Sequence, residues 1–339
     1  MLLGITGSGK SATGNSLLGY PAFESYLSLT SVTQGCSHKS AVRFDHKILV
    51  VDTPGIFDTE VDNEHIQQEI SKCIGLSSPG PHVFILVMAS TSRFTEEEER
   101  TVKSFERQFG EDIYRHFIIV FTRKEAIDKS KKDLMSFLQK APAKLISFIK
   151  KCGGRVFAIN NTLEGEESEI QAHKLLREIL ETVEMNGGEC YTNEIYKAAE
   201  QKLQEYEEEE KKRNEVERQK ALQDITDSIE RRYKETAEEE KKKLSEQQNA
   251  LDKLCQSNEE KEGLVADLKK QIEASEKRCE MLLKTRREEE NKARQNYEMK
   301  EIEDARERAR LAIENESYFY RALEGVFNFG SVFIQAMWK

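Results

Sequence analysis

One stretch near the start of the chain reads Gly4-Ile5-Thr6-Gly7-Ser8-Gly9-Lys10-Ser11, and it satisfies the pattern G-x-x-x-x-G-K-[ST]. It follows a short apolar run, residues 1–3, and leads into a helical pattern over residues 10–18. Such glycines let several backbone N–H groups point at one phosphate, and the helix start adds the positive end of its dipole. We predict a nucleotide-phosphate site that ends at Ala12, with Lys10 on the β- and γ-phosphates and the Ser11 hydroxyl on Mg²⁺.

A second segment, Ile48-Leu49-Val50-Val51-Asp52-Thr53-Pro54-Gly55, is an apolar strand that ends in an acidic residue and a glycine. We expect Asp52 to emerge beside the phosphate loop and to hold Mg²⁺ through water. The Gly55 N–H is expected to contact the γ-phosphate, because Pro54 has no N–H to donate. Thr33 lies in a polar loop and is either a γ-phosphate and Mg²⁺ sensor, hence a catalytic candidate, or a solvated loop residue.

Short apolar runs alternate with helical patterns up to about residue 185. We predict strands over residues 1–3, 41–44, 48–52, 83–89, 117–122 and 156–159. Helices are predicted over residues 10–18, 64–74, 95–109, 131–149 and 167–185. This alternation is typical of an α/β P-loop NTPase with a mostly parallel sheet covered by helices on both faces. The first strand is short, so we expect the natural start of the protein to lie upstream.

The character of the chain changes after Gly187-Gly188. All 5 prolines precede this point, and charged side chains dominate the residues after it. We predict a P-loop GTPase domain over residues 1–188 and a charged helical or coiled-coil extension over residues 189–316, with helices over 191–256 and 264–313. The apolar stripe of the extension breaks often, so both self-association and a solvated or fold-back helix stay open.

The last segment, residues 317–339, is an aromatic hydrophobic tail. It is either a cap on the globular domain or on a second subunit, or an interfacial membrane anchor. No window holds 18 consecutive apolar residues, so we expect no conventional spanning helix.

The composition of the chain argues against several classes of function. The 52 Lys+Arg and 62 Asp+Glu give a formal net charge of −10, which argues against a general nucleic-acid binder. The 6 cysteines are scattered without C-x-x-C or metal-ligand spacing, and there is no signal-peptide pattern. We therefore expect a reducing cytosolic setting, with the cysteines as buried small apolar groups.

The motifs together resemble the GTPases of immunity-associated proteins (GIMAP), of the avirulence-induced-gene type. The resemblance covers residues 1 to about 210 and is carried by residues 7–19, 51–59, 79–82 and 121–125, and by the box Ser92-Arg93-Phe94-Thr95-Glu96-Glu97-Glu98. It implies binding of GTP, GDP and Mg²⁺, and an arginine finger, Arg93, donated across a homodimer or homo-oligomer of G domains. It also implies helices that fold back over the switch region, a cytoplasmic location, possible assembly on the cytosolic face of internal membranes, and a role in immune or cell-survival regulation.

The base-recognition segment departs from the usual pattern. Guanine selection generally uses a Lys and, two residues later, an acidic side chain; Lys124 is present in Arg123-Lys124-Glu125, but position 126 is alanine. Glu125 and Asp128 are the nearby acidic candidates, and Asn161 matches the last base-contacting position. GTP is favoured over ATP by the resemblance, with weakened selectivity.

The hydrolytic machinery is partial, because Ile56 stands where related enzymes place a water-orienting Gln. We predict a GTPase switch that hydrolyses slowly alone and faster when Arg93 acts in trans. The alternatives are a GTP-gated membrane scaffold with negligible hydrolysis and an ATP-using P-loop protein.

Overall fold

The computed structural model describes residues 1–25, 35–55, 63–92, 110–256 and 262–315. Thr33, Ile56, Arg93, the helix predicted over 95–109 and the tail 317–339 lie outside the described residues. The chain divides into two compact units. The first comprises Met1–Tyr206 with Ala309–Lys339, and the second comprises Glu207–Arg308.

The described residues of the first unit form a six-stranded sheet in the order β2-β3-β1-β4-β5-β6. Only the pair β2 and β3 is antiparallel, and the other neighbours are parallel. This architecture confirms the predicted α/β class with a mostly parallel sheet. The strands are β1 Leu2–Leu3, β2 Ser37–Arg43, β3 His46–Asp52, β4 Phe84–Ala89, β5 Phe117–Thr122 and β6 Val156–Ala158.

Helices follow most of the strands. They are α1 Lys10–Leu18, α2 Asn63–Leu76, a 3₁₀ helix Glu111–His116, α3 Lys124–Lys129, α4 Leu134–Leu138, α5 Ala143–Lys151 and α6 Gly165–Met185. The single helix predicted over residues 131–149 is wrong. Asp133 caps α4 by accepting from the Ser136 N–H at 2.7 Å, and Pro142 precedes α5. Proline disfavours helical backbone at the residue before it, so the pattern breaks there.

Apolar side chains cover the sheet on both faces, as the sequence predicts. Along β4 they alternate: Phe84 and Leu86 join one buried cluster, whereas Ile85 and Val87 join another. The first cluster includes residues of α2 and α5, and the second includes residues of α1 and α6. A strand buried on both faces reads as a continuous apolar run, which is why β4 and β5 could be recognised from sequence.

The first unit continues past the boundary predicted at residue 188. Helix α7, Glu194–Arg213, places Tyr196, Ala199 and Leu203 in the first cluster, and the spacing of three and four puts them on one helical face. The end of α9, Glu262–Asn315, contributes Ala309 and Ile313 to the same cluster. The two ends of the charged extension, up to Tyr206 and from Ala309, thus belong to the first unit.

The second unit is an antiparallel hairpin of α8, Glu215–Gln256, and α9. The polar contacts between the helices follow an antiparallel order: residues later in the first helical segment pair with residues earlier in the second. They join Gln247 with Ser275 at 3.0 Å, Thr226 with Arg294 at 2.7 Å, and Glu207 with Arg306 at 2.9 Å. The structure therefore has the fold-back arrangement that the broken apolar stripe left open. A gap of about 700 Å³ between the helices is lined by residues that include Tyr233, Ala237 and Leu282.

The cysteines differ in part from the sequence prediction. Cys36 and Cys73 form a disulfide, with their Cα atoms 5.7 Å apart, although 37 positions separate them in the chain. Cys152 is a free and buried thiol, as expected. Among the described residues, no helix is both long enough and apolar enough to cross a membrane.

Candidate phosphate-binding site

The loop Gly4–Gly9 joins the end of β1 to the start of α1. Its three glycines adopt positive φ angles, 144° at Gly4, 77° at Gly7 and 98° at Gly9. A Cβ atom at Gly4 would lie 2.3 Å from the carbonyl oxygen of Val87 on the neighbouring strand. Only glycine accepts both this backbone conformation and this close approach, so the sequence dictates the curl of the loop.

Side chains that the sequence analysis did not single out hold this loop in place. The Thr122 hydroxyl, at the end of β5, donates to the Ser8 carbonyl at 2.7 Å, and its methyl group stands close to Gly9. The Thr13 hydroxyl donates to the Gly9 carbonyl at 2.9 Å. The available signal for Thr122 was its position as the last residue of a buried strand, directly before Arg123-Lys124.

Lys10 is buried at the loop, with 6% of its surface exposed. Its Nζ donates to the carbonyl oxygens of Gly4 and Ile5, each at 3.1 Å. Gly9 is the N-cap of α1 and provides no side-chain cap, and the first turn carries no acidic residue. A cation and the N–H groups of a helix start therefore converge on one place, which is the arrangement that binds a phosphate anion.

Ser11 and Asp52 meet beside the loop. The Ser11 hydroxyl donates to Oδ2 of Asp52 at 2.6 Å, and Asp52 is 1% exposed. Asp52 ends β3 and is aligned with Leu2 of β1, and the Thr53 hydroxyl donates to the Leu2 carbonyl at 2.8 Å. The parallel pairing thus brings together two oxygen ligands of the kind that Mg²⁺ prefers.

This pair fits a magnesium ion that also uses nucleotide phosphates, because Mg²⁺ in such sites takes only one or two protein ligands. The described residues hold no cluster of three or more His, Cys, Asp or Glu that could bind a metal by itself. Gly55 is buried at the end of its described segment. The predicted partners Thr33 and Arg93 lie outside the part of the chain that the structure describes.

The predicted base-recognition residues follow β5. Arg123 has a positive φ of 57°, and its guanidinium donates to the Thr91 hydroxyl at 2.9 Å. Lys124 forms an ion pair with Asp128, at 2.6 Å from Nζ to Oδ2. Oε2 of Glu125 is buried and has no hydrogen-bond partner among the described residues. An acceptor in this position is available for a donor from a ligand.

Asn161 lies against α1. Its amide nitrogen donates to the Thr13 hydroxyl at 3.1 Å, and its amide oxygen accepts from the Ser16 hydroxyl at 3.0 Å. These bonds fix the segment after β6 on the helix that starts at the phosphate loop. The backbone N–H of Lys124 donates to the Ile159 carbonyl at 3.1 Å, so the two predicted base-contacting segments are joined directly.

The glycine loop, the buried lysine and the Ser11–Asp52 pair on a mostly parallel sheet define a P-loop nucleotide-binding domain of the α/β class. The model of the AIG1 family matches residues 1–211. The chain belongs to the AIG1 family.

Relatives of the chain carry related names. "Immune-associated nucleotide-binding protein 7" of Arabidopsis thaliana is 35% identical over 280 residues, which cover 77% of this chain and 88% of that protein. "GTPase IMAP family member 8" of Homo sapiens is 38% identical over 194 residues, or 57% of this chain and 29% of that protein. The crystal structure of a Toc33 variant from Arabidopsis thaliana aligns with a TM-score of 0.41 at 19% identity, covering 53% of this chain and 82% of that one.

Proposed function

We propose that the chain is a guanine-nucleotide switch that binds GTP with Mg²⁺, dimerises or oligomerises through its G domain and hydrolyses GTP slowly. The observation that carries this proposal is the 2.6 Å contact between Ser11 and Asp52 at the mouth of the glycine loop. It supports the proposal because Ser11 and Asp52, the metal ligands predicted in two separate motifs, contact each other directly.

Lys10, at present on the Gly4 and Ile5 carbonyls, is placed to exchange these neutral acceptors for charged phosphate oxygens. The backbone N–H groups of residues 4–12 would surround the phosphates, and the Gly55 N–H would reach the γ-phosphate. Mg²⁺, when bound, would neutralise charge that develops on the phosphate oxygens. Ser11 and Asp52 would orient it, with Thr33 as a further ligand.

Glu125 is the acceptor that replaces the acidic group missing at position 126. Its buried Oε2 supports this role, because a carboxylate oxygen held away from water gains most from a donor such as the guanine N1–H or amino group. Lys124 would pack along the base, with Arg123 and Asn161 holding the two segments. The GTPase name of the human relative supports guanine over adenine.

The hydrolysis step depends on residues from a second copy. Ile56 cannot orient water by hydrogen bonding, so the isolated domain is slow. Arg93 would supply charge to the transferring phosphoryl group across the dimer, an effect of roughly 10³-fold or more in enzymes with such a finger.

The end of α9 supports a fold-back form in which the C-terminal helix rests on the G domain. Nδ1 of the buried His38 on β2 lies 2.6 Å from Oε2 of Glu314. Burial acts to raise the pKa of Glu314, but the hydrogen bond and charge of His38 outweigh it and lower the pKa. The ionised carboxylate thus holds α9 on the strand that follows the Thr33 loop, and its release on GTP binding would free the tail for a membrane face. Immune regulation is the setting that the relatives' names support.

Calorimetry with a non-hydrolysable GTP analogue and Mg²⁺ tests nucleotide binding. We expect Lys10→Ala to abolish measurable binding, a loss of roughly 100-fold or more, because charge-assisted bonds to phosphate disappear. The exposed Lys140→Ala is the matched control and should bind normally. If no purine triphosphate binds to the unmutated chain, the proposal is wrong; if ATP competes better than GTP, the ATP-using alternative is correct.

Base recognition is tested by Glu125→Gln. We expect a weaker affinity for GTP and little change for ATP, and Asp128→Asn tests the other acidic candidate, the ion-pair partner of Lys124. Equal losses for both nucleotides would assign Glu125 a merely structural role.

The role of Arg93 as an arginine finger is tested by measuring phosphate release at several protein concentrations. Turnover per molecule should rise with concentration for the unmutated chain and stay flat for Arg93→Ala, with unchanged nucleotide affinity. Light scattering in the same samples identifies the scaffold alternative, in which the protein assembles on GTP without releasing phosphate.

A further inference from the structure

The disulfide of Cys36 and Cys73 joins two segments that lie 37 positions apart in the chain. Cys36 stands directly before β2, three positions after Thr33, and Cys73 lies in α2, the helix that follows the Asp52–Gly55 segment. The Cα separation of 5.7 Å falls in the range of about 4.4–6.8 Å that disulfides require. The backbone therefore accepts the bond as it stands.

The surroundings also accept the two thiols. Cys36 is 3% exposed and Cys73 is fully buried. The Cys36 N–H donates to Oε2 of Glu69 at 2.6 Å, and Sγ of Cys36 lies 3.2 Å from the Glu69 carbonyl oxygen, within reach of a thiol donor. Lys72 neutralises the buried Glu69 carboxylate at 2.9 Å. The segment before β2 therefore also has non-covalent contacts with α2, and these do not depend on the disulfide.

We propose that Cys36 and Cys73 form a reversible redox lock between the segment entering β2 and helix α2, and that the closed lock slows nucleotide exchange. The slowing of nucleotide exchange rests on the proposed function, since it requires that the Thr33 and Gly55 segments border a bound nucleotide. In the reduced chain only non-covalent contacts hold the two segments together, and they can part to let a nucleotide enter or leave. In the oxidised chain they cannot part at Cys36.

The chemistry is an exchange with a small disulfide, for which glutathione disulfide is the reagent class. One cysteine thiolate attacks a sulfur of glutathione disulfide, forms a mixed disulfide and releases one glutathione thiolate. The second protein thiolate attacks the protein sulfur of that mixed disulfide and releases the other glutathione. The protein loses two electrons and two protons, and glutathione disulfide gains them as two thiols. Because both sulfurs are buried, the exchange needs local opening of the segment before β2.

The experiment compares the full chain after treatment with glutathione disulfide and after treatment with dithiothreitol. Peptide mass mapping without reduction counts the Cys36–Cys73 linkage, and a fluorescent GDP reports release from the site. We expect full linkage in the first sample, none in the second, and GDP release several-fold slower in the oxidised chain. Cys36→Ala and Cys73→Ala should release GDP at the reduced rate under both conditions.

Cys152→Ala is the matched control. Burial raises the pKa of this thiol to about 12, and it pairs with no other cysteine among the described residues, so the redox effect should persist in the variant. Equal release rates in mapped oxidised and reduced chains overturn the lock on exchange, and absence of the linkage after oxidation overturns the proposal entirely. If no GDP binds in either state, the proposed function has failed, and with it the effect on exchange. In that case mass mapping still decides whether the disulfide forms. Amide hydrogen exchange of residues 36–43, which should be slower in the oxidised chain, decides whether the disulfide restrains the chain.

Discussion

The two units of this chain solve the problem of stability in opposite ways. In the first, every residue of β5, Phe117–Thr122, is buried, and apolar clusters cover both faces of the sheet. In the second, Ile229 and Ala305 are the buried apolar residues among the described side chains, whereas Val216, Met281 and Met299 are largely exposed. The comparison teaches that helical composition alone does not make a core.

The physical difference lies in the kind of contact. Burial of apolar surface contributes about 25 cal/mol for each Å² removed from water. The hairpin relies on charged and polar pairs, and exposed pairs of this kind contribute little because water and ions screen them. We therefore expect the first unit to carry the folding stability and the hairpin to open more readily.

The largest expected effect is a cavity in the sheet. Phe84 is fully buried and contacts the rings of Phe117 and Tyr191 at centroid distances of 5.4 and 5.6 Å. Phe84→Ala should lower the free energy of unfolding by about 3–5 kcal/mol. Amide hydrogen exchange of β5 measures this, and Val42→Ala, at a site 74% exposed on β2, is the control.

The same measurement on Ile229→Ala tests the packing of the second unit. Ile229 is 4% exposed but belongs to neither of the two buried apolar clusters, so we expect a loss near the lower end for such truncations, about 2 kcal/mol or less. If Ile229→Ala lowered the free energy of unfolding as much as Phe84→Ala does, the two units would not differ in how they are stabilised.

A smaller effect is expected from the best-shielded ion pair of the second unit. Arg306 donates to Glu207 at 2.9 Å, and both side chains are mostly buried. Glu207→Gln should destabilise the ends of α7 and α9 by about 1–3 kcal/mol, because the shielded guanidinium of Arg306 loses a charged acceptor. The exposed Lys277–Glu273 pair supplies the control, since Glu273→Gln should leave amide exchange nearly unchanged. Equal changes in amide exchange in the two variants would mean that shielding from water does not decide how much these ion pairs stabilise the helices.

The smallest effect concerns pH and the first unit. Burial lowers the pKa of His116, whose Nδ1–H donates to the His82 carbonyl at 2.9 Å. Below the ordinary pKa of about 6.5 the unfolded chain therefore takes up a proton that the folded chain resists, so stability falls as pH drops from 7.5 towards 5. Denaturant melts across this range give the free energy of unfolding at each pH. This free energy should depend less steeply on pH in His116→Gln than in the exposed-site control His46→Gln. An unchanged slope would place the titration elsewhere.

Sequence reasoning reached the strands, the sheet class and the phosphate loop because each has a local signal. Buried parallel strands read as apolar runs, and the positive φ angles of Gly4, Gly7 and Gly9 require glycine. It missed Thr122 and the pairing of Cys36 with Cys73, because neither has a local pattern and both depend on which strands and helices become neighbours.

The extension shows the same limit. Its helices were predictable from charge and period, but residues 196, 199 and 203 belong to the core of the first unit while α8 and α9 pair with each other. The sequence by itself determined the local conformations and the chemistry of the loop, since both follow from residue type and short spacing. The sequence predicted that Asp52 lies beside the loop, but the direct contact with Ser11 and the meeting of Glu314 with His38 depend on the tertiary structure, because such contacts form only when distant segments become neighbours.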